Sequence, residues 1–508
     1  MIWNKTEVFV TDEWVDVSEY PDININIDID KDGRVLIRAK KIPLKYVRLI
    51  SKTDIKEDEI LVLSDAWERA YGDLSWCVPE YEKLMPWYFA ASCSGKVYCF
   101  GVKTQPNSLC SWQIGSGRIV LNIDVRNGSS GIDLKGRTLE ACTVIEQEYS
   151  CDEFSALQDF CGKMCDNPRL PKNPVYGGND WYCNYGDNSF EKIITHTKRI
   201  VECSPKSGQQ PYMVIDDGWE LCHHDNGSDV FFNGGPWRYC NANFGDMKKL
   251  ADEIKALGAI PGIWFRPLWT IEKVPDEAVL RNDGIKVTLD PSSEVALKII
   301  SEDILTLKSW GYRLIKHDFS TFDIFGKWGF ETNKSEAEMN FSDKTKTTAE
   351  IIKKLYRVIR SAAGDDVLIM GCNTISHLSA GIFEIQRTGD DTSGKEWART
   401  KKYGINTLAF RMTHHNKFYC ADADCVGITR QIAWETNRQW LDVLSKSGTA
   451  VFVSIAENAY DDEIKKDITA AFEKAAVNTE PSFALDWKQN SVPKQWKSKY
   501  GTDEYNWE

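Results

Sequence analysis

A chain of 508 residues with 42% hydrophobic and 27% charged positions is too long for one ordinary domain and has the composition of a packed globular protein, which excludes a disordered chain. Its net charge of −13 argues against nucleic acid or an anionic membrane as a partner. No apolar run approaches the roughly 18 residues of a membrane span, and the opening Met1-Ile-Trp-Asn lacks the charged and apolar regions of a signal peptide. The 15 cysteines contain no CxxC pair and no zinc-type spacing, so reduced thiols in a cytoplasm are expected, with no metal and no cofactor.

In chain order, residues 1–170 read as a β-sandwich. Apolar and polar residues alternate over 23–30 and less strictly over 33–42, and short apolar runs at 96–103 and 117–125 lie between Gly, Asn, Asp and Ser turns. A helical pattern over 151–165 leads to Pro168, Pro171 and Pro174, which read as a linker. Beyond it the pattern becomes strand, then helix, repeated. Apolar strands are predicted at 175–182, 211–217, 260–267, 313–319, 367–372, 382–389, 418–423 and 449–455. Helices are predicted at 190–203, 247–257, 295–310, 345–363, 396–408 and 429–446, with Gly258 and Gly311 as C-terminal caps. Eight such units predict an α/β chain: a (β/α)8 TIM barrel over 171–457, the N-terminal β-sandwich before it and a short C-terminal extension over 458–508. The connection from Cys372 to Ile382 is too short for a full helix, and the Trp-rich tail fits no element.

In a barrel of this kind the chemistry sits at the carboxyl ends of the strands. Those ends carry Asp216, Asp217, Asp318, Asp390, Asp391, Asp422 and Asp424, an equipment suited to cleaving a glycosidic bond, where one carboxylate attacks and another protonates the leaving oxygen. The strand 311–320 is the centre of this reading. Side-chain alternation puts Lys316, Asp318 and Ser320 on one face and His317 and Phe319 on the other, with Lys316 expected to hold Asp318 ionised. The pairs His223-His224 and His414-His415 lie in loop-like or helix-end sequence and read as solvated or structural. Composition alone does not choose among the seven aspartates.

The ordered motifs Asp-Asp-Gly-Trp at 216–219, Gly-Ile-Trp-Phe at 262–265, Leu-Asp-Pro at 289–291, Ile-Lys-His-Asp-Phe at 315–319, Cys372 and Arg-Thr-Gly-Asp-Asp at 387–391 resemble glycoside hydrolase family 36, in the clan of retaining α-galactosidases. The resemblance implies Asp318 as nucleophile and Asp391, rather than Asp390, as acid/base. It implies Asp216 and Asp217 on the sugar's O4 and O6, Lys316 near O3 or O4, Cys372 and Arg387 near the C2 hydroxyl, and Trp181 and Trp264 as walls. Trp67, in a loop of the first domain, is expected to reach across to the sugar. Asp390 beside Asp391 is expected to raise the acid's pKa by like-charge repulsion. The implied substrate is a terminal α-galactoside or oligosaccharide, with an α-N-acetylgalactosaminide, galactosyl transfer or non-catalytic sugar binding as alternatives, and with a homo-oligomer as a possible assembly. Three departures stand out: Arg266 at the rim, which would select an acidic or extended aglycone, His317 before Asp318, and the shortened C-terminal region.

Overall fold

The computed structural model describes residues 1–508 except 11, 20–23, 41, 56–58, 207, 222–231, 285 and 332–338. The N-terminal region forms two six-stranded antiparallel sheets. One has Tyr46–Lys52, Arg118–Asp124 and Leu109–Gly115 at its centre, and the other has Thr138–Tyr149, Lys96–Val102 and Tyr88–Cys93. Buried apolar side chains alternate along Arg34–Ala39 while Leu109–Gly115 is buried throughout, and the inner faces close over Trp87 and Trp112, both fully buried. The strand expected over 23–30 runs Ile25–Ile29, and residue 23 lies outside the described residues.

A closed barrel of eight parallel strands follows. Its strands are β1 (Tyr176–Asn179), β2 (Tyr212–Ile215), β3 (Ile260–Phe265), β4 (Leu314–His317), β5 (Leu368–Gly371), β6 (Ile385–Arg387), β7 (Cys420–Ile428) and β8 (Ala450–Ile455). Seven of the eight apolar runs seen in the sequence each hold one strand, because a strand buried on both faces needs an apolar core, whereas β7 starts within the run expected over 418–423 and continues to Ile428. The helices α1 (Phe190–Cys203), α2 (Met247–Leu257), α3 (Glu294–Trp310), α4 (Thr348–Ala363) and α5 (Trp434–Ser447) lie between them. Gly258 and Gly311 end α2 and α3 at φ 102° and 106°, a left-handed conformation that penalises any Cβ.

Two connections depart from the simple repeat. Only one helical turn, Ser376–Ser379, joins β5 to β6. The helix expected over 396–408 is instead a short α-helical turn, a wide π-type segment over Thr400–Asn406 and a further α-turn to Arg411. The C-terminal region holds a helix, Asp462–Ala475, and a three-stranded antiparallel sheet ending at Glu504. Its aromatics pack back on the chain: Trp487 meets Trp76 edge-on with ring centroids 5.6 Å apart, and Trp397 Nε1 donates to the Trp507 carbonyl. No helix among the described residues is long and apolar enough to cross a membrane.

Candidate active site

The carboxyl ends of the barrel strands bring most of the expected residues together. β4 stops at His317, so the alternation assumed for 311–320 breaks there: Phe319 turns to φ 59° and Ser320 opens a short helix to Phe325 instead of sharing the strand face with Asp318. This left-handed turn, costly for an aromatic residue, points the Phe319 N–H back at Asp318 Oδ1 at 2.7 Å. The Asn373 N–H donates to the same oxygen at 3.2 Å, and Trp264 Nε1 donates to Oδ2 at 3.1 Å. Trp264 is 1% exposed, so its indole N–H is a buried hydrogen-bond donor.

Lys316 does not pair with Asp318. Its ammonium lies 2.6 Å from Asp216 Oδ2, reaching over β3 to the end of β2. Asn179 donates to that oxygen at 2.5 Å and the Asp217 N–H to Oδ1 at 2.9 Å. Burial opposes the charge on Lys316, but Asp216 outweighs it and keeps the ammonium protonated well above its ordinary range. Burial pushes the Asp216 carboxyl up, against the pull of Lys316 and Asn179. Asp217 Oδ2 accepts from Asn233 Nδ2 at 2.9 Å. Gly218, at φ 123°, passes so close that a Cβ would lie 2.5 Å from the Gly186 carbonyl. Trp219 is then fully buried, with its Nε1 on the Trp264 carbonyl at 3.1 Å.

Arg266 is not a free guanidinium at the rim. It makes a two-pronged ion pair with Asp323, Nε to Oδ2 at 3.0 Å and Nη2 to Oδ1 at 2.5 Å, and a third bond to Asn233 Oδ1. Trp269 and Phe319 each present a ring to its guanidinium, with centroids 3.8 and 4.1 Å away, so nothing of it faces an aglycone. His317 packs as an aromatic between Tyr356 and Phe383, and burial drives its pKa down to about 3. His414 and His415 are buried, the former between the Tyr88 and Tyr419 hydroxyls at 2.6 and 3.0 Å; His223 and His224 lie outside the described residues.

Arg387, at the end of β6, is 1% exposed and gathers the other carboxylates: Asp424 Oδ2 at 2.9 Å, Asp391 Oδ1 at 3.3 Å and Asp422 Oδ2 at 3.9 Å. Its Nη1 also donates to Cys372 Sγ at 3.4 Å. Asp424 receives Tyr182 OH and the Thr392 N–H, and Asp422, pushed up by burial against the pull of Arg387, titrates near 6. Asp391 stays 38% exposed. Burial opposes its charge, but Arg387, then Arg69, Lys316 and Arg399 outweigh burial and hold its carboxyl below the usual carboxylate range. Any like-charge effect from Asp390 is outweighed by these cations, and Asp390 is itself paired: Arg69 Nη2 lies 2.6 Å from its Oδ1.

Trp181 stands half-buried at the end of β1, its ring 5.5 Å from that of Tyr185. Trp67 meets the barrel at Phe330. It is 6% exposed, packed against Trp87 and Phe330 with centroids 5.5 and 5.9 Å apart, and it lines a cleft of about 270 Å³ between sandwich and barrel. The next two residues of that loop make the crossing. Glu68 Oε2 accepts from Asn373 Nδ2 at 2.8 Å, fixing the residue whose N–H holds Asp318. Arg69 meets Asp390, lies 3.7 Å from Asp391 Oδ1 and donates to Cys372 Sγ at 3.7 Å. The signal in the sequence for this crossing is the charged pair Glu-Arg that directly follows Trp67.

The fold and this rim define a closed eight-stranded parallel barrel with carboxylates gathered at the carboxyl ends of its strands. No family model matches the chain. Its fold is shared with solved α-galactosidases. TtGalA from Thermus thermophilus, in complex with p-nitrophenyl α-D-galactopyranoside, matches at TM-score 0.63 and 16% identity over 98% of each chain. The family 36 α-galactosidase AgaA from Geobacillus stearothermophilus, in complex with 1-deoxygalactonojirimycin, matches at TM-score 0.64 and 14% identity over 95% of this chain and 72% of its own. The galactosidase domain of the α-galactosidase–sucrose kinase AgaSK matches at TM-score 0.63 and 14% identity over 91% of this chain and 67% of its own. At such identities the likeness is one of fold.

Proposed function

We propose that the protein is a retaining α-galactosidase that hydrolyses terminal α-linked galactose. The observation that carries this reading is the pair Asp318 and Asp391 at the barrel rim, differently held. Asp318 is fixed by three N–H donors that steady an anion without neutralising it. Asp391 is reachable from solvent and hinged to Arg387. The shared fold with α-galactosidases supports the substrate class.

In this reading Asp318 attacks the anomeric carbon while Asp391, held ionised at rest by its cations and having first taken up a proton from solvent, passes that proton to the departing glycosidic oxygen, leaving a galactosyl ester on Asp318. Asp391, now anionic, takes a proton from water, and the hydroxide opens the ester to release galactose with its configuration retained. Asp216, Asp217 and Lys316 offer charged partners to O3, O4 and O6, and a sugar without the matching hydroxyls forfeits those hydrogen bonds. Cys372, flanked by Arg387 and Arg69, leaves little room for an acetamido group at C2, which favours galactose over N-acetylgalactosamine.

The test is nitrophenol release from aryl α-galactoside, α-N-acetylgalactosaminide and α-glucoside, with Asp318→Gly assayed in azide. Turnover of the galactoside alone, and β-galactosyl azide from the variant, is the expected result. Azide product of α configuration, or undiminished hydrolysis by the variant, would overturn Asp318 as nucleophile; silence on every sugar would overturn the enzymatic reading.

A further inference from the structure

Two consecutive residues of one sandwich loop brace the two rim carboxylates, Glu68 through Asn373 and Arg69 directly. The loop is locked in place from both sides. Asp65 and Arg411 form a buried ion pair at 2.9 Å, and Arg411 Nη1 donates to the Thr388 carbonyl at 2.8 Å. Ala70 then forms a parallel bridge with Gly389: its N–H donates to the Thr388 carbonyl at 2.9 Å and its carbonyl accepts from the Asp390 N–H at 3.0 Å. The sandwich loop is thus stitched by backbone to the segment that carries Asp390 and Asp391.

We propose that Arg69, from the sandwich, is a positioning residue for Asp391: its guanidinium divides between Asp390 and Asp391 and so governs the charge around the proton-donating carboxylate of the barrel. The proposal rests on the galactosidase reading for the meaning of that proton. The groups that face Asp391 are Arg387 on β6, Arg69 from the sandwich, Lys316 on β4, Arg399 after the acidic loop, Tyr182 after β1, and its neighbour Asp390. Asp422 and Asp424 on β7 share Arg387 with it. Arg69 is 4% exposed, and its nearest anion is Asp390 at 2.6 Å, with Asp391 at 3.7 Å. Removing its charge therefore acts twice in one direction. Asp391 loses a cation, and Asp390 beside it keeps only the more distant Arg399 at 3.8 Å; both favour the protonated form. Removing the charge of Asp390 acts oppositely, since the whole fork of Arg69 then turns to Asp391.

The alkaline limb of kcat/KM reports the acid's ionisation in the free enzyme, and it is clearest with a sluggish leaving group such as the sugar of melibiose. In Arg69→Met the limb should move up by about one pH unit, in Asp390→Asn it should move down, and Arg69→Lys should stay near the wild type. With a nitrophenyl galactoside, whose leaving group needs little protonation, the limb should shift much less. A merely structural role would lower activity evenly at every pH in both variants, and that result would overturn the proposal. A second readout needs no turnover: ¹³C NMR titration of protein labelled at aspartate carboxyls, with the Asp391 resonance assigned by its loss in Asp391→Asn. If the wild type hydrolyses no galactoside, the functional reading falls and this titration decides alone; an Asp391 midpoint that stays fixed in both variants overturns the proposal, while opposite shifts support it. If Arg69→Met does not fold, Asp390→Asn decides by the same signs.

Discussion

Lys316 Nζ sits 2.6 Å from Asp216 Oδ2, joining β4 to β2 across the intervening strand, and both side chains are nearly sealed from solvent at 7% and 3% exposure. A buried pair of this kind is worth little against an apolar replacement of both partners, but removing one partner strands the other. Lys316→Met should therefore destabilise the fold by about 3 kcal/mol, read as a shift in the urea midpoint. Lys316→Met with Asp216→Asn should recover much of that loss while activity stays abolished.

Trp264 donates to Asp318 Oδ2 while packing against Trp237 and Phe319. Trp264→Phe keeps an aromatic wall and deletes the donor. A hydrogen bond to a charged acceptor contributes about 1.5–3 kcal/mol, so kcat should fall by roughly ten- to a hundredfold. Single-turnover measurement of the glycosylation step should show the loss there.

Arg266 is wholly engaged by Asp323 and Asn233. Arg266→Met should lower stability by about 3–5 kcal/mol because Asp323 is left buried without its cation. The ratio of kcat/KM for an acidic against a neutral aglycone should not change. A selective loss of the acidic substrate would restore the aglycone role that the sequence suggested.

Asp303 on α3 is 2% exposed, and its nearest cation, Arg238, is 4.0 Å away. Burial raises its pKa from 3.8 to about 8, with Glu272 adding to the effect and Arg238 opposing it. Between those values the folded chain binds a proton that the unfolded chain has released, so rising pH lowers stability across that window. Asp303→Asn should flatten this dependence. The gain in melting temperature over wild type should be small at pH 4 and largest near pH 8.

The barrel was legible because its strands are buried on both faces and its helices end in glycines; Gly258 and Gly311 fall at helix ends in sequence and in structure alike. The rim was legible because strand ends are identifiable one at a time. Which rim groups pair was not, since pairing across a closed barrel depends on the stagger of the strands. Lys316 lies two residues from Asp318 in sequence, yet it finds Asp216, 100 residues away. The ionisation of Asp391 escapes the sequence for the same reason: its neighbour in the chain is an acid, but the cations around it come from positions 69, 316, 387 and 399. The strain at Phe319 left no trace in a pattern of apolar residues.

Glu68 and Asn373 are 305 residues apart, and their bond closes only when the first-made domain meets the middle of the later-made barrel. During synthesis the loop with Glu68 and Arg69 must wait, already folded in its sandwich, for the partners that give it meaning. Closing so long a loop is slow compared with forming helices, so competence should be the last property a refolding chain acquires. A barrel cut free of its sandwich would keep its strands and both carboxylates, yet would never pass through that final step.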